Sequence, residues 1–102
     1  MKRNTFLHKI KNSLEHIDPN IEIILFGSRA RGDFGKESDW DILIVTSVHL
    51  EKEEKRSIRD VIFDIEIEIE EPISTIIYTK EEWETYEITS LYQNIKTEGV
   101  RL

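Results

Sequence analysis

The stretch LFGSRARGDFGKESDWDILIV, residues 25–45, places a polar, glycine-rich segment between two apolar runs. The preceding run, Ile21–Phe26, and the following run, Asp39–Thr46, are short and rich in β-branched residues, as buried strands are. The segment Gly27–Glu37 holds three glycines and predicts a loop, with one helical turn after Ser28. This stretch therefore predicts two strands joined by a polar, glycine-rich loop, a composition typical of loops that bind ligands.

Two aspartates, Asp39 and Asp41, flank Trp40 at the start of the second predicted strand. Residues i and i+2 of a strand point to the same face, so the two carboxylates are expected side by side and Trp40 is expected to point into the packing. Neighbouring carboxylates repel each other and raise each other's pKa. A divalent cation removes that repulsion, and carboxylate oxygens suit Mg²⁺ or Mn²⁺. The pair therefore predicts a metal site.

A set of four residues that precede the two aspartates in the chain predicts a site for phosphate groups: Gly27, Ser28, Arg29 and Arg31. Gly27 lets the backbone approach a ligand closely, and the N–H groups of a helical turn together with the Ser28 hydroxyl can bind an anion. Arg29 and Arg31 can add positive charge. Each residue taken singly also has an ordinary interpretation as a turn, cap or surface residue. Taken together, they favour a metal-bridged nucleoside triphosphate as the ligand.

The spacing G-S-x-A-R-G-x(6)-D-x-D between two apolar strands resembles the signature of nucleotidyltransferases of the DNA polymerase β superfamily. The closest resemblance is to the minimal nucleotidyltransferases, small stand-alone proteins of bacteria and archaea. This resemblance implies that Gly27 and Ser28 bind the triphosphate, and that Asp39 and Asp41 are catalytic and hold two metal ions. It also implies transfer of a nucleoside monophosphate, AMP from ATP in the first instance, to a hydroxyl group.

Many active members of this family carry a third carboxylate on the strand that follows the long helix. Here that strand is expected at Ile73–Tyr78, which places Ser74 near the position of the third acid. The segment DIEIEIE, residues 64–70, leaves an alternative open. Its alternation is typical of a strand, from which Glu66 or Glu68 could supply the acid.

A helix is the favoured interpretation of the same segment. Its isoleucines continue one helical face that begins upstream, and we predict a single helix over residues 51–69. The residues on this face are Ile58, Val61, Ile62, Ile65 and Ile69. With this helix, Glu66 and Glu68 belong to a solvated surface.

The resemblance also bears on partners. Similar minimal nucleotidyltransferases are commonly paired with HEPN-domain proteins in toxin–antitoxin modules, where they neutralise the partner by binding it or by transferring AMP to it. A HEPN-type partner is therefore expected. Two functions remain open, an active nucleotidyltransferase and a catalytically weak antitoxin that works by binding alone.

The remaining segments predict helices around these strands. Apolar residues from Phe6 to Ile17 recur at helical spacing. Thr79 with Glu82, and Ser90 with Gln93, have the spacing of capping boxes that open two short helices. Gly99 is expected to end the last helix in the left-handed conformation, with Val100 folding back on Ile95. The predicted fold is a small α/β sandwich, one domain over residues 1–102, with a sheet of three or more strands flanked by helices.

The composition of the chain bears on its binding partners and its location in the cell. The chain has 14 basic and 21 acidic residues, a net charge of −7, which disfavours nucleic acid as a partner. The sequence has no cysteine, in keeping with a cytoplasmic location, and neither a signal peptide nor a membrane span is expected.

Aromatic residues near the C-terminus predict an interface. Trp83, Tyr86 and the run Leu91–Ile95 lie in short helices that cannot all face one thin core, so a homodimer or an obligate complex is expected, through these helices or the long one. The alternative is that they cover the sheet of a monomer. Tyr78, Trp83, Tyr86 and Tyr92 could stack on a base, although packing is the commoner use of such residues.

Overall fold

The computed structural model describes residues 2–32 and 39–101. Its helices are α1 (Arg3–Leu14), α2 (Ser28–Arg31), α3 (Lys52–Ile69), α4 (Lys80–Glu84) and α5 (Ser90–Glu98). Its strands are β1 (Glu22–Phe26), β2 (Trp40–Thr46), β3 (Ile73–Thr79) and β4 (Val100–Arg101). The predicted helical turn after Ser28 is present as α2, and most of the predicted loop, residues 33–38, lies outside the described residues.

The strands form one mixed sheet in the order β3-β2-β1-β4. β1 runs antiparallel to β2 and β4, whereas β2 and β3 are parallel and are joined by α3 as the crossover helix. The register places Asp41 between Phe26 of β1 and Ser74 of β3. The α/β fold class predicted from the sequence is confirmed.

Alternation along the strands gives the sheet two different faces. The inner face carries Trp40, Ile42 and Ile44 of β2 and is buried under α1 and α3. The outer face carries Asp39, Asp41, Leu43 and Val45, and α4 and α5 cover the end of it that lies away from the two aspartates. A single strand therefore contributes to the main core on one side and presents acidic residues on the other.

The long helix was predicted correctly. α3 spans Lys52–Ile69, so the alternating segment DIEIEIE is helical, and Ile58, Ile62 and Ile65 are buried. Glu51 opens the helix in a capping box with Glu54. The helical spacing of Ile58, Ile62 and Ile65 therefore decides the structure over the strand-like alternation of residues 64–70. These three isoleucines form one helical face that is buried against the inner face of the sheet.

Two predictions at the C-terminus were wrong. The cap of α5 is Thr89, whose side chain accepts from the backbone N–H of Tyr92, and not Ser90. Gly99 has φ −63° and ψ 142°, an extended conformation, because the chain continues as β4 and pairs Val100 with Leu25. A Cβ atom at Gly99 would collide with the Ile95 carbonyl oxygen and lie 2.7 Å from Cγ2 of Ile24, so the glycine serves close packing against both α5 and β1. The capping box of Thr79 and Glu82 is confirmed.

The aromatic residues of the C-terminal half pack on one another. Ring centroids are 4.9 Å apart for Tyr78 and Tyr86, and 4.8 Å apart for Trp83 and Tyr92. These contacts cover the end of the outer face next to Val45 and Ile24, which favours packing over base stacking. No helix within residues 2–32 and 39–101 is both long and apolar enough to span a membrane.

Candidate active site

The structure brings Asp39 and Asp41 together on the outer face, at the edge where β2 begins. Asp39 is exposed and accepts a 2.9 Å hydrogen bond from the Ser74 hydroxyl. Asp41 is half-buried, and burial raises the pKa of its carboxyl, as does the negative charge of Asp39, while Arg31 lowers it. The two carboxylates are therefore held close enough for the charge of Asp39 to disfavour the ionisation of Asp41.

Gly27 lies directly against Asp41. Its φ of 76° belongs to the region that favours glycine, and an added Cβ atom would collide with Oδ2 of Asp41 and lie 3.2 Å from its Cγ. The pairing of Phe26 with Asp41 explains this contact, because Gly27 is the next residue after Phe26. Only glycine fits between the end of β1 and the carboxylate.

The turn after Gly27 is the short helix α2. The N–H groups of Ala30 and Arg31 donate to the Gly27 carbonyl at 3.1 and 3.2 Å, and Gly32 closes the turn with φ 85°. Ser28 is the first residue of α2 and is half-buried. The hydrogen bonds of α2 thus shape the predicted phosphate turn, and the pairing of β1 with β2 holds that turn against Asp41.

The two arginines of α2 lie in different places. The side chain of Arg31 is 43% exposed, lies 3.3 Å from Glu98 of α5, and is close enough to lower the pKa of Asp41. Arg29 is buried, with its guanidinium 4.3 Å from the centroid of the Trp40 ring and 3.3 Å from Glu71. Arg31 therefore lies at the acid pair, whereas Arg29 is held in the packing behind it.

Trp40 fixes the start of β2 from the inner face. The residue is 2% exposed, its ring stacks on Phe6 at 4.2 Å, and its Nε1 donates to Oε2 of Glu71 at 3.2 Å. Its backbone N–H donates to the Pro72 carbonyl at 2.9 Å. The prediction that Trp40 points away from the acids into the apolar layer is confirmed.

Glu71 is a residue of this region that sequence reasoning missed. It contacts both Arg29 and Trp40 across more than thirty residues of sequence. A carboxylate beside Pro72, the residue directly before β3, was the available signal. It ties the α3–β3 turn to the start of β2, and so helps to position the two aspartates.

Ser74, the residue expected near the position of a third acid, lies opposite Asp41 in the register and donates to Asp39. Glu66 instead accepts from the backbone N–H of Ile73 at 2.7 Å, and Glu68 pairs with Lys9 at 2.8 Å. Within residues 2–32 and 39–101, no three acidic or histidine side chains are grouped closely enough to hold a metal ion. The acid site of the described residues is a pair.

This donor set nevertheless suits a hard divalent cation. Asp39 and Asp41 offer carboxylate oxygens on one face. Burial, and after it the charge of Asp39, raises the pKa of Asp41, and a cation would offset both effects. Mg²⁺ and Mn²⁺ take such oxygens with water or phosphate oxygens as the remaining ligands.

Comparisons with known proteins point to the same family. Residues 7–101 match the family model described as a nucleotidyltransferase domain. The Methanocaldococcus jannaschii protein named "Putative protein adenylyltransferase MJ0141" is 41% identical over 58 residues, which are 57% of this chain and 59% of that protein. The match thus spans less than two thirds of that relative.

Solved structures share the fold. One crystal form of a mutated MntA–HpeT toxin–antitoxin superposes with a TM-score of 0.62 and 18% identity, over 100% of this chain and 72% of that one. A toxin–antitoxin crystal structure with AMP-PNP gives a TM-score of 0.59 and 21% identity, over 92% and 69% of the two chains. At these identities the likeness concerns the fold.

Proposed function

The chain belongs to the nucleotidyltransferase domain family, and on that premise we propose that it transfers AMP from ATP to a hydroxyl group of a protein partner. The observation that carries the proposal is the contact of Gly27 with Asp41, beside Asp39. It puts a backbone turn that can approach phosphate groups next to two carboxylates that would gain from a cation.

In this proposal Gly27 and Ser28 contact the triphosphate, and Arg31 adds positive charge beside it. Arg29 supports the site indirectly, by packing on Trp40 and pairing with Glu71. The role first considered for Arg29, a direct phosphate contact, is therefore replaced by a positioning role.

Asp39 and Asp41 would hold the metal, Mg²⁺ or Mn²⁺, in one or two ions. Such ions stabilise the charge that develops on phosphate oxygens and lower the pKa of an attacking hydroxyl. The chain's own contribution is to keep the two carboxylates side by side, which the β2 backbone, Trp40 and the Ser74 hydroxyl do.

The reaction class follows from the ligand. The acceptor oxygen forms a bond to the α-phosphorus of ATP, the bond from that phosphorus to the bridging oxygen breaks, and pyrophosphate leaves with the electron pair. The hydroxyl proton passes to water. A protein acceptor is favoured over a nucleic acid because the chain carries a net charge of −7.

The known relatives support the finer parts of the proposal. One is named as an adenylyltransferase acting on protein, and one structural neighbour is a toxin–antitoxin with AMP-PNP, an ATP analogue. We therefore take ATP as the nucleotide and a toxin, of HEPN type, as the partner. The reaction is placed in the cytoplasm, where ATP is available.

The test is to incubate the protein with Mg²⁺, ATP and the product of the neighbouring gene. ATP labelled at the α-phosphate should leave label on the partner protein, whereas ATP labelled at the γ-phosphate should release it as pyrophosphate. Asp41→Asn should abolish both signals. Asp64→Asn, which removes an exposed carboxylate of α3, is the matched control and should behave as the parent does.

Failure to label any protein, in conditions where ATP and Mg²⁺ bind, would contradict transfer and favour a second function. That function is neutralisation of the partner by binding alone, and the presence of Ser74 at the third acid position favours it. A Ser74→Asp variant separates the two. Gain of transfer on adding this carboxylate would identify the parent as a binding module with an incomplete site.

A further inference from the structure

We propose that two copies of this chain associate through the free edge of β3 and the neighbouring side of α3, about a two-fold axis. We call this surface the edge surface. Its members are Arg56, Arg59, Phe63, Glu66, Ile67 and Glu70 of α3 and its end, with Thr75 and Ile77 of β3. The proposal is independent of the transfer activity.

The side of α3 next to β3 exposes large apolar residues. Phe63 is 58% exposed and Ile67 is 60% exposed, although Ile58, Ile62 and Ile65 of the same helix are buried. At 100° per residue, Ile67 lies 40° from Phe63 around the helix, so the two form one patch. An apolar patch framed by charged residues is typical of an interaction surface.

The charges on this side are ordered by sign. Arg56 and Arg59 precede Phe63 in the chain, and Glu66 and Glu70 follow it, all within about 60° of Phe63 around the helix. Among the residues that the structure describes, no ion pair is recorded for Arg56, Arg59 or Glu70. These charges are therefore available to a partner.

Such an order is complementary to itself. In an antiparallel pair of α3 helices, Phe63 meets Phe63 and Ile67 of the second copy, and Arg59 meets Glu70 of the second copy. The two-fold axis repeats each of these contacts, which is the isologous arrangement of most homodimers. This self-complementarity selects a second copy of the chain as the occupant.

The backbone of β3 offers hydrogen bonds in the same place. β3 is an edge strand, and the N–H groups of Ile73 and Thr79 point away from β2, toward the carboxylates of Glu66 and Glu82. Because the direction alternates along a strand, Thr75 and Ile77 also present their backbone groups outward. The Thr75 hydroxyl is buried without a partner in the described part of the chain.

One axis can serve both elements. Along α3, the contacts between the two helices centre on residues 63–65, which lie about 6–9 Å before the last residue of the helix. Along β3, the pairing between the two strands centres on Ile76, which lies about 10 Å after the first residue of the strand. Since α3 and β3 run in opposite directions from the same turn, these centres lie side by side. Antiparallel pairing then joins Thr75 of one copy to Ile77 of the other with four backbone hydrogen bonds.

The pairing would also place the second copy beside the acid site. Ser74 would lie opposite Tyr78 of the second copy, and both side chains belong to the outer face. Because Ser74 donates to Asp39, the dimer would border the acid pair.

Sedimentation of the full chain, without nucleotide, tests the proposal. The parent should sediment at about twice 12.1 kDa at micromolar concentration. Phe63→Glu should be monomeric, and because Phe63 is exposed, its fold should persist. Val48→Glu is the matched control, since Val48 is 54% exposed and lies outside the edge surface. A parent that stays monomeric, as it would if the surface served only a different protein, overturns the proposal.

Charge reversal tests the orientation. Arg59→Glu alone and Glu70→Arg alone should each weaken the dimer by about tenfold, because two symmetric pairs become repulsive. The double variant restores opposite charges at both pairs and should recover most of the parental affinity. Single variants that dimerise as the parent does, or a double variant without recovery, overturn the antiparallel arrangement.

Discussion

Asp18 and Asp41 lie at opposite ends of β2, and the pKa values of their carboxyl groups are shifted in opposite directions from that of an ordinary aspartate. Burial raises the pKa of Asp18, but hydrogen bonds from the Ser47 hydroxyl, the Ser47 N–H and the Asn20 N–H outweigh it and leave the pKa lowered. Burial and Asp39 leave the pKa of Asp41 raised. The carboxylate of Asp18 is satisfied by hydrogen bonds within the fold, whereas the charge of the Asp41 carboxylate is disfavoured there and would be stabilised by a cation.

Under the proposed function, this difference in pKa separates a structural acid from a functional one in a chain that has 21 acidic residues. Asp18 joins the turn before β1 to the residue after β2, and hydrogen bonds from within the protein satisfy its carboxylate. Asp41 is kept beside another carboxylate by the pairing of β1, β2 and β3. The following predictions test each end of β2, from the largest expected effect to the smallest.

Trp40→Ala removes the side chain that supports the acid end from the inner face. We expect a loss of about 3–5 kcal/mol in the free energy of unfolding, because the residue is almost fully buried between Phe6 and Arg29. Urea denaturation measures it. Trp83→Ala, at a half-buried tryptophan of the outer face, is the matched control and should cost less; equal costs would contradict the assigned packing.

Asp18→Asn tests the other end of β2. It should cost about 2 kcal/mol at neutral pH, because a charged acceptor of three hydrogen bonds is lost. A lowered folded-state pKa gives stability that is present above the ordinary value of 3.8 and is lost as the pH falls below it. Denaturation curves from pH 7 to pH 2 should show this acid loss in the parent, and a flatter profile in the variant.

Gly27→Ala tests the contact between the turn and Asp41. Its positive φ costs about 1–2 kcal/mol for any other residue, and the new Cβ also collides with Asp41. Gly32→Ala is the matched control, because Gly32 has φ 85° with no atom within 4 Å of an added Cβ. Both should lose stability, but only Gly27→Ala should lose affinity for ATP. Equal ATP affinity in the two variants would argue against a phosphate turn at Gly27.

Ser28→Ala gives the smallest expected effect. If its hydroxyl donates to the triphosphate, the variant should lose about 1 kcal/mol of ATP binding, or somewhat more if the acceptor oxygen is charged. Calorimetric titration with Mg²⁺ present measures this loss. An unchanged affinity would leave the phosphate contact to the backbone of the turn alone.

Much of this arrangement could be predicted from residues close together in sequence. The alternation of Asp39, Trp40 and Asp41 gives their opposite faces, and the spacing of isoleucines gives α3. These features depend on periodicity, which is local. The same holds for the capping box at Thr79.

The remaining features depend on contacts between distant parts of the chain. Nothing in the sequence distinguishes an arginine that faces a ligand from one that packs on a tryptophan, so the partners of Arg29 emerge only in the fold. β4 is two residues long and exists because β1 has a free edge for it. Gly99 was therefore assigned a left-handed cap, where the structure shows an extended residue.

Calorimetric titration of ATP with and without Mg²⁺, on the parent and on Asp41→Asn, tests the central claim most directly. The parent should bind ATP more tightly when Mg²⁺ is present, and Asp41→Asn should lose this increment while keeping its fold, since the raised pKa means that the charge of Asp41 adds nothing to stability. Asp64→Asn should match the parent. A metal-dependent increment of equal size in Asp41→Asn would contradict the account.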